Sequence, residues 1–156
     1  MSIETVKLFF KEFGLDNNIK EFDVSSATVE EAAKALNVEE GRIAKTLSFK
    51  RKDGGCMIVV TTGDVKINNT KFKQAFSMKA SLMPAAEVAE IVGHVIGGVC
   101  PFVIPEEIPI YLDESLKKYT TIFPACGSRN SAIELTWQEL AKYAKTDKWV
   151  DVTVDK

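Results

Sequence analysis

Ala44-Lys-Thr-Leu-Ser-Phe-Lys-Arg51 and Cys56-Met-Ile-Val-Val-Thr-Thr62 are two β-rich runs separated by Lys52-Asp-Gly-Gly55. Strand, glycine turn, strand predicts a hairpin, because glycine reaches the positive φ that tight hairpin turns need. Upstream of it, Thr28-Val-Glu-Glu31 is a capping-box pattern that predicts a helix from Val29 to about Asn37. A short turn of helix is expected over 39–43. Residues 2–13 place Ile3, Val6, Phe9, Phe10 and Phe13 at helical spacing, with Ser2 as cap and Gly14 as stop. Residues 19–24 alternate and predict a strand.

Beyond the hairpin, residues 68–76 predict a helix and 79–83 a short strand. Pro84 opens a helix to Val92, with Gly93 just past its end. Residues 108–112, 120–123 and 132–136 predict strands. Thr136-Trp-Gln-Glu139 is a second capping box opening a helix to about Ala144, and residues 149–154 predict a terminal edge strand. No repeat or linker is visible, so one domain over residues 1–156 is expected. The order is not a regular βαβ series. It predicts an α/β (α+β) fold: a curled, mixed, largely antiparallel sheet or barrel with packed helices.

The chain has 156 residues, 46% hydrophobic and 27% charged, with a net charge of −2. This is globular composition, and it argues against a protein that coats duplex DNA. The charge is uneven. Residues 41–80 hold nine basic and two acidic side chains, a net of +7 against −9 elsewhere. Such a segment suits one phosphodiester strand or end, or is a solvated face. The cysteines, Cys56, Cys100 and Cys126, are odd in number and form no C-x-x-C, so neither a disulfide framework nor a metal site is expected. No basic leader or membrane-length apolar run is present. A reduced, cytoplasmic protein without a membrane partner is the expectation.

Four places can carry chemistry. Gly93-His-Val-Ile-Gly-Gly-Val-Cys-Pro101 has paired glycines whose backbone donors can approach a carbonyl oxygen, a ribose hydroxyl or a terminal adenosine. It is also readable as a plain crossover, and it is not a phosphate loop of known pattern. Lys45, entering an apolar strand, can hold a phosphate or polarise an ester carbonyl, or can snorkel over the sheet. His94, the one histidine, and Cys100 are the only thiol–base option. Gly127-Ser-Arg-Asn130 is a turn that can line a pocket.

The order and spacing of Lys45-Thr46-Leu47, Gly97-Gly98-x-x-Pro101 and Ile133-Glu134-Leu135 resemble the YbaK / prolyl-tRNA-synthetase-associated editing-domain family over nearly the whole chain. The resemblance implies an aminoacyl-tRNA deacylase that hydrolyses the ester of a mischarged tRNA, of the Ala- or Cys-tRNA(Pro) type, without a metal or organic cofactor. Its partners would be a tRNA 3′ end and prolyl-tRNA synthetase. It assigns Lys45, Gly97 and Gly98 to the scissile carbonyl and terminal nucleotide. Phe22, Thr46, His94, Cys100, Pro101, Gly127 and Ser128 become substrate-binding positions. Val103 stands where many relatives carry glycine. Ala125 and Ala132 stand where cysteine-specific relatives carry Ser and Asp, which leans toward a small apolar substrate. The alternative is a non-catalytic module of the same fold that binds a tRNA end or nucleotide.

Overall fold

The computed structural model describes residues 2–156. The proposed cap, Ser2, has a side chain outside the described residues. The helices are α1 (Ser2–Lys11), α2 (Val29–Leu36), α3 (Asn69–Phe76), α4 (Ala85–Val92) and α5 (Trp137–Ala144). The strands are β1 (Lys20–Glu21), β2 (Ile43–Lys50), β3 (Cys56–Thr62), β4 (Val65–Ile67), β5 (Ile110–Asp113), β6 (Thr121–Pro124), β7 (Ser131–Ala132), β8 (Leu135–Thr136), β9 (Trp149–Val150) and β10 (Thr153–Asp155). Six of them form a sheet in the order β8-β6-β2-β3-β5-β9, and β1-β7 and β10-β4 form two small pairs. Among the described residues four strand pairings are antiparallel and three parallel. The expected mixed sheet is what forms.

The β2–β3 hairpin is the spine, in register from Ala44↔Thr62 to Lys50↔Cys56. All of β3 is buried because both faces of the sheet are covered, which is why its sequence is a continuous apolar run. On one face Ile58 and Val60 meet Val6 and Phe10 of α1, Phe102, and Leu140 of α5. On the other, Met57 and Val59 meet Phe49, Phe72 of α3 and Val152. A third cluster joins Ala32 and Ala33 of α2 to Ile43, Phe123 and Ala132. Burying each such large side chain contributes about 2–3 kcal/mol.

Both capping boxes form: the Thr28 and Thr136 hydroxyls accept from the Glu31 and Glu139 amides. Asn68 caps α3 in the same way, accepting from the Lys71 amide. Elsewhere the sequence reading is corrected. Phe13 lies beyond α1 and is 42% exposed. The 19–24 strand shrinks to β1. Residues 79–83 make only an isolated bridge, Phe49↔Leu82.

The 132–136 run breaks in two. Ile133 turns into the core, its amide donating to Pro124, while Glu134 turns out to Arg42. The terminal run also divides, β9 joining β5 and β10 joining β4. The cause is Asp113, fully buried, which accepts from the Val152 amide (2.9 Å), the Thr153 hydroxyl (2.7 Å) and the Ser115 amide (3.0 Å). That carboxylate bends the chain between the two strands, and it is absent from the sequence-based expectations, as is β4.

Candidate active site

Strand β6 follows β2 only as far as Ala44↔Pro124 and then leaves it. A strand residue presents its N–H and C=O to one edge, and the edge alternates by residue. The Ser48 carbonyl and the Lys50 amide bond outward to Met83 and Ser81. Thr46, two residues back, therefore turns its amide and carbonyl to the same outer edge, where no strand remains. A cavity of about 280 Å³ fills the gap. Its floor is Ile43–Leu47, one wall is Ser26–Val29 at the start of α2, and another is Gly97 and Val99. Phe123, Ala125, Ser131 and Ala132 complete it. The Thr46 Oγ1 is buried and has no hydrogen-bond partner among the described residues, so this edge offers a ligand a hydroxyl beside the strand backbone.

Lys45 lines this cavity together with Gly97. Its ammonium donates to the Val65 carbonyl at 2.7 Å. Burial lowers the Lys45 pKa, repulsion from Lys156 lowers it further, and Asp64 opposes both. Asp64 is anchored by the Thr62 hydroxyl (2.6 Å), the Tyr119 hydroxyl (2.8 Å) and Lys118 (3.3 Å). Burial raises the Asp64 pKa, but those hydrogen bonds prevail and hold it low. The bond to Asp64, with burial, pushes Tyr119 up to about 12.

The two glycines differ. Gly97 has φ +85, and no hydrogen bond among the described residues engages its amide. Gly98 donates its amide to Val95 (2.9 Å), and its carbonyl accepts from Gly127 (3.0 Å). A Cβ on Gly98 would sit 2.6 Å from the Ser128 nitrogen. Gly98 therefore lets two loops touch, and its N–H is not available to a ligand. Gly127 and Ser128 stand behind it: Ser128 Oγ donates to Ser131 Oγ at 2.7 Å, and Ser131 is the one that lines the cavity.

His94 and Cys100 are brought together, Sγ to Nε2 at 3.5 Å, but both are buried. The Nε2 hydrogen is held by the Phe102 carbonyl at 2.7 Å. Burial pushes the Cys100 thiol up to about 12 and His94 down, the opposite of a thiolate–imidazolium pair. His94 and Pro101 line a separate, larger cavity of about 960 Å³, with Phe9, Val103 and Tyr143. Phe22 packs with Phe123 and Ala132 from behind, and the aromatic wall of the smaller cavity is Phe123. That ring, along with Ser26 and Ser131, has no local signal in the sequence, since these residues come from segments before and well after β2 that only the fold brings to the cavity. The basic segment is partly neutralised: Arg42 pairs with Glu134, Arg51 with Asp53 and Lys71 with Asp151.

Residues 23–143 match the model of the aminoacyl-tRNA editing domain. The chain belongs to that family. The chain is 47% identical over 99% of its length to the YwhH protein of Bacillus subtilis, covering 99% of that protein. It is 28% identical to EbsC of Enterococcus faecalis, a candidate Cys-tRNA(Pro)/Cys-tRNA(Cys) deacylase, over 69% of this chain and 66% of EbsC. Among solved structures, a candidate trans-editing enzyme for prolyl tRNA synthetase superposes with a TM-score of 0.85 at 27% identity, covering 98% of this chain and 97% of that one. The fold of this chain is thus that of the solved neighbour. Among the described residues no helix is long and apolar enough to cross a membrane, and no cluster of three or more potential metal ligands occurs.

Proposed function

We propose that the protein is an aminoacyl-tRNA deacylase that hydrolyses the ester of a tRNA carrying the wrong small amino acid, in trans to prolyl-tRNA synthetase. The observation that carries this reading is that Lys45 and Gly97, whose amide has no hydrogen bond among the described residues, line one cavity. An aminoacyl ester is already activated, so positioning and charge stabilisation are enough. The Gly97 N–H donates to the carbonyl oxygen as it becomes an oxyanion. Lys45 supplies positive charge to the terminal nucleotide. A water oxygen adds to the carbonyl carbon, the bond to the ribose oxygen breaks, and that oxygen leaves with the proton.

Ala125 and Ala132 present methyl groups beside Val99 and Phe123, and the hydroxyls in the lining belong to Ser26, Thr28, Thr46 and Ser131. This favours alanine over cysteine, by the modest margin that apolar pockets allow. The cytoplasm, where tRNAs are charged, is the compartment this reading implies. The test is a panel of mischarged tRNAs, with Ala-tRNA(Pro) and Cys-tRNA(Pro) first, incubated with the wild type and with Lys45→Ala. The expected result is ester loss above background for the wild type, greatest with Ala-tRNA(Pro). No acceleration with any charged tRNA, or full rate in the variant, overturns the reading.

A further inference from the structure

The chain has three arginines. Arg42 and Arg51 have carboxylate partners, at 2.8 and 2.6 Å. Arg129 is exposed, and its guanidinium makes no ion pair or hydrogen bond among the described residues. Its backbone, by contrast, is clamped. The Arg129 carbonyl accepts from the Ser26 amide at 2.7 Å, and Asn130 exchanges two hydrogen bonds with Phe22, each 2.8 Å. Its stem lies along the glycine loop: a Cβ on Gly97 would be 3.1 Å from Arg129 Cγ and 3.4 Å from Nε. Ser26 and Gly97 both line the Lys45 cavity, so Arg129 stands at its rim.

A planar fork of donors on a fixed stem is suited to two-point binding of a phosphate. A cavity of about 280 Å³ accommodates the ester end of a nucleic acid and leaves the following phosphates outside. We propose that Arg129 is a substrate-binding residue, taking a phosphodiester of the RNA acceptor end at the rim of the Gly97 loop. This rests on the deacylase reading and adds the group that grips the RNA backbone. Because Gly97 lies under the Arg129 stem, the same contact that binds the phosphate sets the approach of the ester to the Gly97 amide.

The experiment is salt-dependent binding of an uncharged, CCA-ended RNA hairpin to the wild type, Arg129→Ala, Arg129→Lys and, as a control on the β2–β3 turn, Arg51→Ala. Adenosine monophosphate is titrated in parallel. Arg129→Ala is expected to weaken RNA binding roughly tenfold at low salt and to lower the slope of log affinity against log salt by about one. Arg129→Lys keeps the slope with part of the affinity, and Arg51→Ala behaves as wild type. An unchanged slope in Arg129→Ala, or dependence on Arg129 for adenosine monophosphate but not for RNA, overturns the assignment. The deacylase reading is judged separately. Ester hydrolysis with no Arg129 effect on RNA binding sinks only this inference, and Arg129-dependent binding with no hydrolysis sinks only the enzyme.

Discussion

The Lys45 ammonium donates to the Val65 carbonyl at 2.7 Å, which ties β2 to the first residue of β4. One of its three donors is thereby occupied, and among the described residues the other two have no partner. Lys45→Ala is expected to lower deacylation by two to three orders of magnitude, the range for losing one preorganised charge-stabilising donor. Its melting temperature should hold or rise, because burial already disfavours the charged form in the folded state. Thermal unfolding alongside single-turnover rates checks both halves. A variant that unfolds would mean the lysine is structural.

The same residue sets a pH dependence. Burial and Lys156 lower the Lys45 pKa from its ordinary 10.5, and Asp64 raises it. The cation is therefore lost at a lower pH than that of free lysine. Asp64→Asn should move the alkaline limb of the rate profile to lower pH, and Lys156→Gln should move it higher. Titration of the Lys45 side-chain resonances by NMR reads the shift without any activity. Equal profiles in all three proteins would remove Lys45 as the titrating group.

Gly97 and Gly98 should separate in mutants. Gly98→Ala forces a methyl to within 2.6 Å of the Ser128 nitrogen, a backbone atom that cannot swing aside. Roughly 2 kcal/mol or more of stability should be lost. Gly97→Ala meets Ala27 Cβ at 2.9 Å and is strained at φ +85. It should cost about 1–2 kcal/mol while reducing the rate by more than its stability loss accounts for. Denaturant unfolding with kinetics on the same samples decides this.

Val103 is a β-branched residue in the left-handed region, with φ +55, and is 41% exposed. Few packing contacts are at stake and the conformation is unfavourable for it. Val103→Gly should stabilise the fold by about 1 kcal/mol, the strain relieved exceeding the entropy that glycine loses. A fall in the denaturant midpoint would show that the valine side chain packs usefully in the larger cavity.

His94 links stability to acid. Burial lowers its folded pKa below the unfolded value of about 6.5, against a smaller opposing effect of the Phe102 carbonyl. The unfolded chain then binds the proton first. The contribution is present in full above about 6.5 and is lost as pH falls from there toward the folded value. Unfolding free energy measured between pH 7 and 5 should decline in the wild type and be flatter in His94→Gln.

Much of this was readable one segment at a time. The hairpin, both capping boxes and the glycine that ends α4 follow from neighbouring residues, because strand alternation, cap hydrogen bonds and left-handed φ are local requirements. The breaks within 132–136 and 149–154 were not readable. Glu134 leaves the first run to reach Arg42, and the Val152 amide leaves the second to reach Asp113, partners that lie far away in sequence.

The identity of the loop was local, and its working atoms were not. Residue types alone marked Lys45 and Gly97-Gly98 as the chemistry-bearing positions. The Gly98 amide closes a turn on Val95 and its carbonyl takes the Gly127 amide from the facing loop, while the resting place of the ammonium was decided by Val65 in another strand. A donor's availability depends on what else accepts from it, and that is known only when strands and loops distant along the chain are brought side by side.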